Sequence, residues 1–251
     1  MPDRIEVVSL HIYPVKSLRG LTLEEARLTV GGLESDRSWV VVDADNRRLS
    51  ARKNPRLATI GVSLAGEGLI LTCQNQPNIQ VPAAGGTLCN VRLGDSAYDQ
   101  HAHRTSPAVT AWLTAALGFE CSLVRLSPEG KSALAAFPIH LISTSSMSYL
   151  NMQLDVPISP ERFRPNIIVE GAAPFAEDHW NEVDIGGVRM RLLELTDRCI
   201  VPNIDPLTGA TAAEPLRTLA KLRRVGKAVR FGIYLVPLSA GFLCRGAQVT
   251  L

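Results

Sequence analysis

Val183-Asp184-Ile185-Gly186-Gly187-Val188-Arg189-Met190 constrains this chain more than any other stretch. Two strand-like runs meet at a pair of glycines, and glycine tolerates the positive φ that a two-residue hairpin turn needs. The stretch commits its surroundings to antiparallel β-structure. On the returning arm Val188, Met190 and Leu192 alternate with Arg189 and Arg191, so one face is apolar and the other wet. That strand delivers the chain to Thr196-Asp197-Arg198-Cys199-Ile200, and an Asp205-Pro206-Leu207-Thr208-Gly209 turn stops the run. A strand end followed by a rigid turn holds a side chain well, because both flanks have little conformational freedom. An arginine beside a cysteine favours the thiolate, the form of sulfur that attacks or binds metal. Cys199 is on these grounds either a functional sulfur or a small core residue.

The remaining chain reads mostly as short strands between turn signals. In the first hundred residues they fall at 5–13, 21–30, 38–43, 57–64 and 68–72, the pattern of a barrel or sandwich. Leu49 to Arg52 reads as extended. One helix is well marked: Ser106 suits the N-cap, Pro107 the first turn, and Val109, Trp112, Leu113, Ala116 and Leu117 recur at helical spacing before Gly118. Shorter helices are expected over 145–154 and from Pro215. Further strands are expected over 119–126, 167–170, 229–236 and 248–251, with a loop over 127–136. The fold class is therefore mixed, mainly β with a few helices, and no Pro/Gly/Ser linker divides it.

Composition excludes several functions. The 251 residues carry a net charge of +2, too small to imply nucleic acid. No apolar run reaches the length of a membrane span or a signal sequence. The five cysteines, Cys73, Cys89, Cys121, Cys199 and Cys244, show no CxxC spacing, so neither a zinc knuckle nor an iron–sulfur cluster is expected. Reduced thiols in a cytoplasmic protein are the simplest reading. His101 and His103 form an HxH pair with no third ligand spaced for a metal.

Two further places hold candidate binding groups. Tyr13-Pro14-Val15-Lys16-Ser17-Leu18-Arg19-Gly20 puts two cations, a hydroxyl and a glycine in a loop after a strand. That arrangement suits an anion, though it also suits a solvated basic turn. Arg164-Pro165-Asn166 stands at a strand mouth, where the proline is expected to push Arg164 into an extended conformation and so aim its guanidinium. Asn166 offers donors and acceptors there, while Arg164 could equally pair with a surface carboxylate. Arg37 stands at the mouth of another strand.

Several pieces, in order along nearly the whole chain, carry a family resemblance. They are Tyr-Pro-Val-Lys-Ser at 13–17, Asp-Arg-Ser-Trp at 36–39, Ala-Arg-Lys-Asn-Pro-Arg-Leu at 51–57, Phe-Arg-Pro-Asn at 163–166, Ala-Glu-Asp-His-Trp at 176–180, Arg-Cys-Ile at 198–200, Asp-Pro-Leu-Thr-Gly at 205–209 and Phe-Gly-Ile-Tyr at 231–234. With them the chain resembles MOSC-domain proteins, and within these the amidoxime-reducing and YcbX-type branch. The resemblance implies an N-terminal β-barrel-like subdomain over 1–100 packed on a β-barrel MOSC domain over 101–251. It implies a molybdenum cofactor, a pterin dithiolene bearing a phosphate, with Cys199 as metal ligand and catalytic residue. It further implies that Lys16, Ser17, Arg37, Arg164, Asn166 and Arg198 hold the pterin and phosphate, with Tyr234 near the metal.

YcbX-type proteins end in a ferredoxin-like domain with clustered cysteines, which this chain does not show. The implied activity is reduction of small N-hydroxylated compounds with electrons from a separate ferredoxin- or flavin-reductase-like protein. The alternatives are a cofactor carrier or storage protein, or a sulfur carrier with a persulfide on Cys199. Two departures stand out: Ala136-Phe137 replaces the family's Thr-Ser before Pro138, and Val201-Pro202-Asn203 stands where threonines are usual.

Overall fold

A computed structural model of the chain describes residues 4–29, 31–94, 100–128 and 139–251. The departure at Ala136-Phe137 and most of the expected 127–136 loop lie outside them. Among the described residues there are nineteen strands in four sheets, three α-helices and four short 3-10 turns. The ladders follow open paths, and no ring of pairing closes among these residues.

The largest sheet has nine strands and carries the hairpin near its edge. From that edge the order is Val249–Thr250, Glu182–Ile185, Val188–Asp197, Ala228–Pro237, Ile139–Ser143, Ile167–Glu170, Glu6–Ile12 and Leu21–Leu23, with Arg224–Val225 as a flap on Ala228–Pro237. Gly186 and Gly187 turn the hairpin at φ 61° and 89°. All its ladders are antiparallel except that between Ile139–Ser143 and Ile167–Glu170. The first two strands of the chain, Glu6–Ile12 and Leu21–Leu23, thus complete a sheet built otherwise from residues after 138. Val7, Leu10 and Ile12 enter the same core as Ile139, Leu141, Met190, Ile233 and Leu235.

A second core lies under helix α1, Pro107–Leu117. Its buried residues are Val109, Trp112, Leu113, Ala116 and Leu117, the set the spacing marks, and Gly118 ends it at φ 82°. Ser106 occupies the N-cap position but makes no side-chain cap bond. The hairpin Gly61–Ala65 and Gly68–Cys73 packs there, with a third strand, Gln76–Val81. Leu57 belongs to a 3-10 turn, Pro55–Thr59, rather than to that hairpin. Helix α2, Thr144–Asn151, is capped by the Ser143 hydroxyl and buries Met147 and Leu150. Helix α3, Leu216–Leu222, buries Leu219.

Three expectations need correction. The run 21–30 is two strands, Leu21–Leu23 and Glu25–Thr29, which pair in different sheets. Residues 51–53 form a turn, not an extended segment. Arg164 is left-handed, at φ 56° and ψ 50°, because it caps the 3-10 turn Pro160–Phe163 with its N–H on the Glu161 carbonyl at 2.9 Å. A following proline disfavours the right-handed helical region, and the cap selects the left-handed one.

Candidate functional site

Two sequence motifs close on each other to form one wall of a cleft. Tyr13 N–H donates to Asp36 Oδ1 at 2.6 Å, Arg37 N–H to the Tyr13 carbonyl at 2.9 Å, Trp39 N–H to that of Pro14 at 3.0 Å, and Lys16 N–H back to that of Trp39 at 2.9 Å. Val15 and Trp39 anchor this zipper in the core under α1. Ser17 takes a left-handed backbone, φ 74°, as does Arg37 at φ 51°. Such conformations cost about 1–2 kcal/mol each for non-glycine residues, so three of the expected site residues, with Arg164, hold strained backbone. Ser17 Oγ accepts from Ala51 N–H at 3.1 Å, which ties the Lys16 loop to the turn carrying Arg52 and Lys53.

Two of the arginines lie against the Tyr13 ring. Tyr13 is 2 % exposed, and its hydroxyl donates to the Pro165 carbonyl at 3.1 Å. The Arg164 guanidinium lies 4.1 Å from the ring centroid and that of Arg37 lies 5.5 Å away. Each such contact is worth about 0.5–2 kcal/mol depending on desolvation. Arg164 Nη1 also donates to the Leu18 carbonyl at 2.6 Å, and Arg37 Nη1 donates to Asp36 Oδ2.

The opposite wall comes from the large sheet. Cys199 follows the strand Val188–Asp197 and is half-buried at the cleft surface. Arg198 next to it donates from Nη2 to the Phe163 carbonyl at 2.8 Å and lies over the Phe163 ring, 5.3 Å from its centroid. Its Nη1 stands 3.3 Å from His140 Nε2, and its Nε is buried with no partner. Tyr234 pairs directly across the ladder from His140, with ring centroids 5.4 Å apart.

The cleft has a volume of about 940 Å³. Among the described residues its lining includes nine cations, Lys16, Arg37, Arg47, Arg48, Arg52, Lys53, Arg92, Arg164 and Arg198, against one carboxylate, Asp43. Lys16 feels this imbalance: burial, then Arg48, Arg37, Arg164 and Arg52, bring its pKa down to about 7. Burial brings Arg164 down to about 10, against the pull of Tyr13. Burial opposes the charge of Arg37 most, but Asp36, Tyr13 and Tyr234 together outweigh it and the pKa goes up. The His140 imidazole is held well below its ordinary value by burial and then by Arg198. So many cations facing inward suit a ligand with several negative charges.

Of the expected site residues, Lys16, Ser17, Arg37, Arg164, Arg198, Cys199 and Tyr234 all line this cleft. Asn166 does not. It is fully buried; Oδ1 accepts from His140 N–H at 3.1 Å and from Arg37 Nη1 at 3.4 Å, and Nδ2 donates to the His11 carbonyl at 3.1 Å and Asp36 Oδ2 at 3.3 Å. Its amide braces Arg37 from behind. Lining residues that sequence reasoning does not single out include His140, Arg48 and Arg92. Arg47 pairs with Arg92 in an isolated bridge, and Arg48 N–H donates to the Arg92 carbonyl at 2.8 Å, a juxtaposition without local signature. His140 sits in an apolar run, where its polarity is the one signal. Among the described residues no group of three or more His, Cys, Asp or Glu could hold a metal ion. A metal at Cys199 must therefore bring most of its own ligands, as a metal carried on an organic cofactor does.

A β-rich body with a cysteine at an open, cation-lined cleft is the class of protein that the fold and the site define. Family models identify it: the MOSC N-terminal beta barrel domain matches residues 4–120 and the MOSC domain residues 124–250, so the chain belongs to the MOSC-domain family. It is a distant homologue of the amidoxime-reducing components. Mitochondrial amidoxime-reducing component 1 of Homo sapiens is 30 % identical over 277 residues, spanning 98 % of this chain and 82 % of the relative. Mitochondrial amidoxime reducing component 2 of Rattus norvegicus is 30 % identical over 279 residues, 97 % of this chain and 82 % of the relative. Molybdenum cofactor sulfurase of Danio rerio is 29 % identical over 268 residues, 93 % of this chain but 32 % of the relative. Among solved structures, the YuaD protein from Bacillus subtilis matches with a TM-score of 0.48 at 13 % identity, covering 98 % of this chain and 93 % of that one. No described helix is long and apolar enough to cross a membrane.

Proposed function

We propose that the cleft binds a molybdenum cofactor through its phosphate and pterin, with Cys199 as metal ligand, and that the protein reduces small N-hydroxylated compounds using electrons from a separate redox protein. One observation carries this reading: the half-buried Cys199 opens onto a cleft lined, among the described residues, by nine cations and one carboxylate. The buried, unpartnered Nε of Arg198 and the cations crowded about Lys16 suit an anionic ligand. The kinship with amidoxime-reducing components supports the choice of substrate class.

In this reading Lys16, Arg37, Arg164 and Arg198 balance the phosphate, and Ser17 contributes its N–H and hydroxyl. Asn166 and Asp36 hold Arg37, and the Tyr13 ring lies against both Arg37 and Arg164. Tyr234 and Phe163 line the same cleft as Cys199. The cofactor, when bound, supplies the two-electron chemistry, while the protein binds, orients and tunes it.

Protein made in a host that synthesises the cofactor should carry molybdenum, and Cys199→Ala should lose most of that metal and all reduction of a benzamidoxime by an artificial electron donor. Full metal and activity in the variant would refute the ligand assignment. Tight molybdenum with no reduction in the parent would refute the reductase and leave a carrier. A labile sulfur released from Cys199, without molybdenum, would leave a persulfide carrier.

A further inference from the structure

His140 is 2 % exposed, in a strand whose other residues are Ile139, Leu141, Ile142 and Ser143. A buried imidazole needs partners for both nitrogens. Nδ1 lies 3.3 Å from the Arg164 carbonyl oxygen, and Nε2 lies 3.3 Å from Arg198 Nη1. A carbonyl only accepts and a guanidinium only donates. The ring also meets the Phe231 carbonyl, but Nε2 is the nitrogen within reach of Arg198, so an acceptor for that guanidinium requires the proton on Nδ1. A doubly protonated ring would turn an N–H toward a guanidinium N–H.

The fold keeps room for this ring. Gly232 stands beside it at φ 76°, and a Cβ there would lie 2.8 Å from His140 Nε2. Arg198 is in turn held on two sides, by the Phe163 carbonyl and by the imidazole. Without the second acceptor the guanidinium could rotate about its long stem, and an anion would have to order it on binding. Ordering a long side chain on binding weakens the affinity.

We propose that His140 is a positioning residue: a neutral, Nδ1-protonated imidazole whose Nε2 fixes Arg198 at the Cys199 end of the cleft, so that the guanidinium is preorganised for an anionic ligand. The proposal rests on reading the cleft as the cofactor's anion site, but its test does not need the cofactor.

Long-range proton–nitrogen NMR on protein labelled with ¹⁵N-histidine reads the tautomer directly. The expected pattern is a protonated Nδ1 and an unprotonated Nε2, unchanged between about pH 5 and 8. A protonated Nε2 overturns the proposal. The second arm is calorimetric titration of cofactor-free protein with sulfate. His140→Gln keeps an acceptor for Arg198 and should bind sulfate within about twofold of the parent; His140→Leu should lose about five- to tenfold. A ring that merely packs would give the reverse order, since leucine suits an apolar strand better than glutamine does. Leucine binding as well as glutamine, in variants that melt like the parent, also overturns the proposal. If either variant fails to fold, the tautomer in the parent still decides. Parent protein that binds sulfate in the predicted order yet never carries molybdenum would sink the cofactor reading and leave the role of His140 standing.

Discussion

Lys16 gives the cleft a pH dependence whose sign can be worked out. Its pKa is brought down to about 7 by burial first and then by Arg48, Arg37, Arg164 and Arg52. A bound anion favours the charged lysine and raises that pKa. Below pH 7 the ammonium is already present, so affinity is flat. Above 7 each binding event must also take up a proton, and affinity falls by up to about tenfold per pH unit. Sulfate keeps its charge across this range and is the probe to use. Affinity for sulfate should hold between about pH 6 and 7 and then decline. In Lys16→Met it should be weaker and lack that decline. An equal slope in the variant would assign the titration elsewhere. Lys16 and Cys199 are legible in sequence because each sits in a short motif with a local chemical reason, a basic loop after a strand and a sulfur at a strand end. Tyr13 and His140 are not, because an aromatic or imidazole among apolar neighbours looks like core until the arginines around it, drawn from distant parts of the chain, are placed.

The strand Ala228–Pro237 serves two ladders at once, pairing with Val188–Asp197 on one side and Ile139–Ser143 on the other. Gly232 is where that arrangement leaves least room. It adopts φ 76°, and a Cβ would lie 2.7 Å from the Leu141 carbonyl oxygen and 2.6 Å from Ile142 Cγ2. A backbone oxygen in a paired strand cannot step aside as a flexible side-chain end can. Gly232→Ala combines the left-handed penalty with overpacking and should cost about 2–4 kcal/mol, read by urea unfolding. A change under about 0.5 kcal/mol would mean that the ladder yields there. Most elements with a strong period or a glycine turn are legible in sequence: α1, the hairpin at Gly186-Gly187 and the strand Ile167–Glu170. The strands Gln76–Val81, Thr87–Val91 and Gln100–Arg104 are not. They are polar and exposed over much of their length, so hydrophobic alternation does not mark them. Pairing with neighbours, a tertiary effect, is what makes them strands.

At the scale of the whole molecule, the first strand belongs to the last sheet. Glu6–Ile12 lies between Ile167–Glu170 and Leu21–Leu23, and Val7, Leu10, Ile12, Leu28 and Leu33 are all at or near zero exposure in the core shared with the C-terminal strands. Which strand a run of alternating residues will join is a long-range choice that no local pattern encodes, so this exchange is invisible in sequence. Five buried aliphatic side chains are worth about 1.5–3 kcal/mol each, or on the order of 10 kcal/mol together. That equals the whole stability of an ordinary domain, about 5–15 kcal/mol. A chain comprising residues 121–251 alone would also present the unpaired edge of Ile167–Glu170 to solvent, a template for aggregation. Such a fragment should show no cooperative thermal transition by circular dichroism, whereas the full chain melts cooperatively. Co-expression of the fragment with residues 1–120 should restore a cooperative, soluble pair, because the missing strand and its core residues return in trans. A sharp melt of 121–251 by itself would mean that the sheet closes its core without its N-terminal strand, and that the Tyr13–Lys16 wall of the cleft is docked onto a finished domain instead of being folded with it.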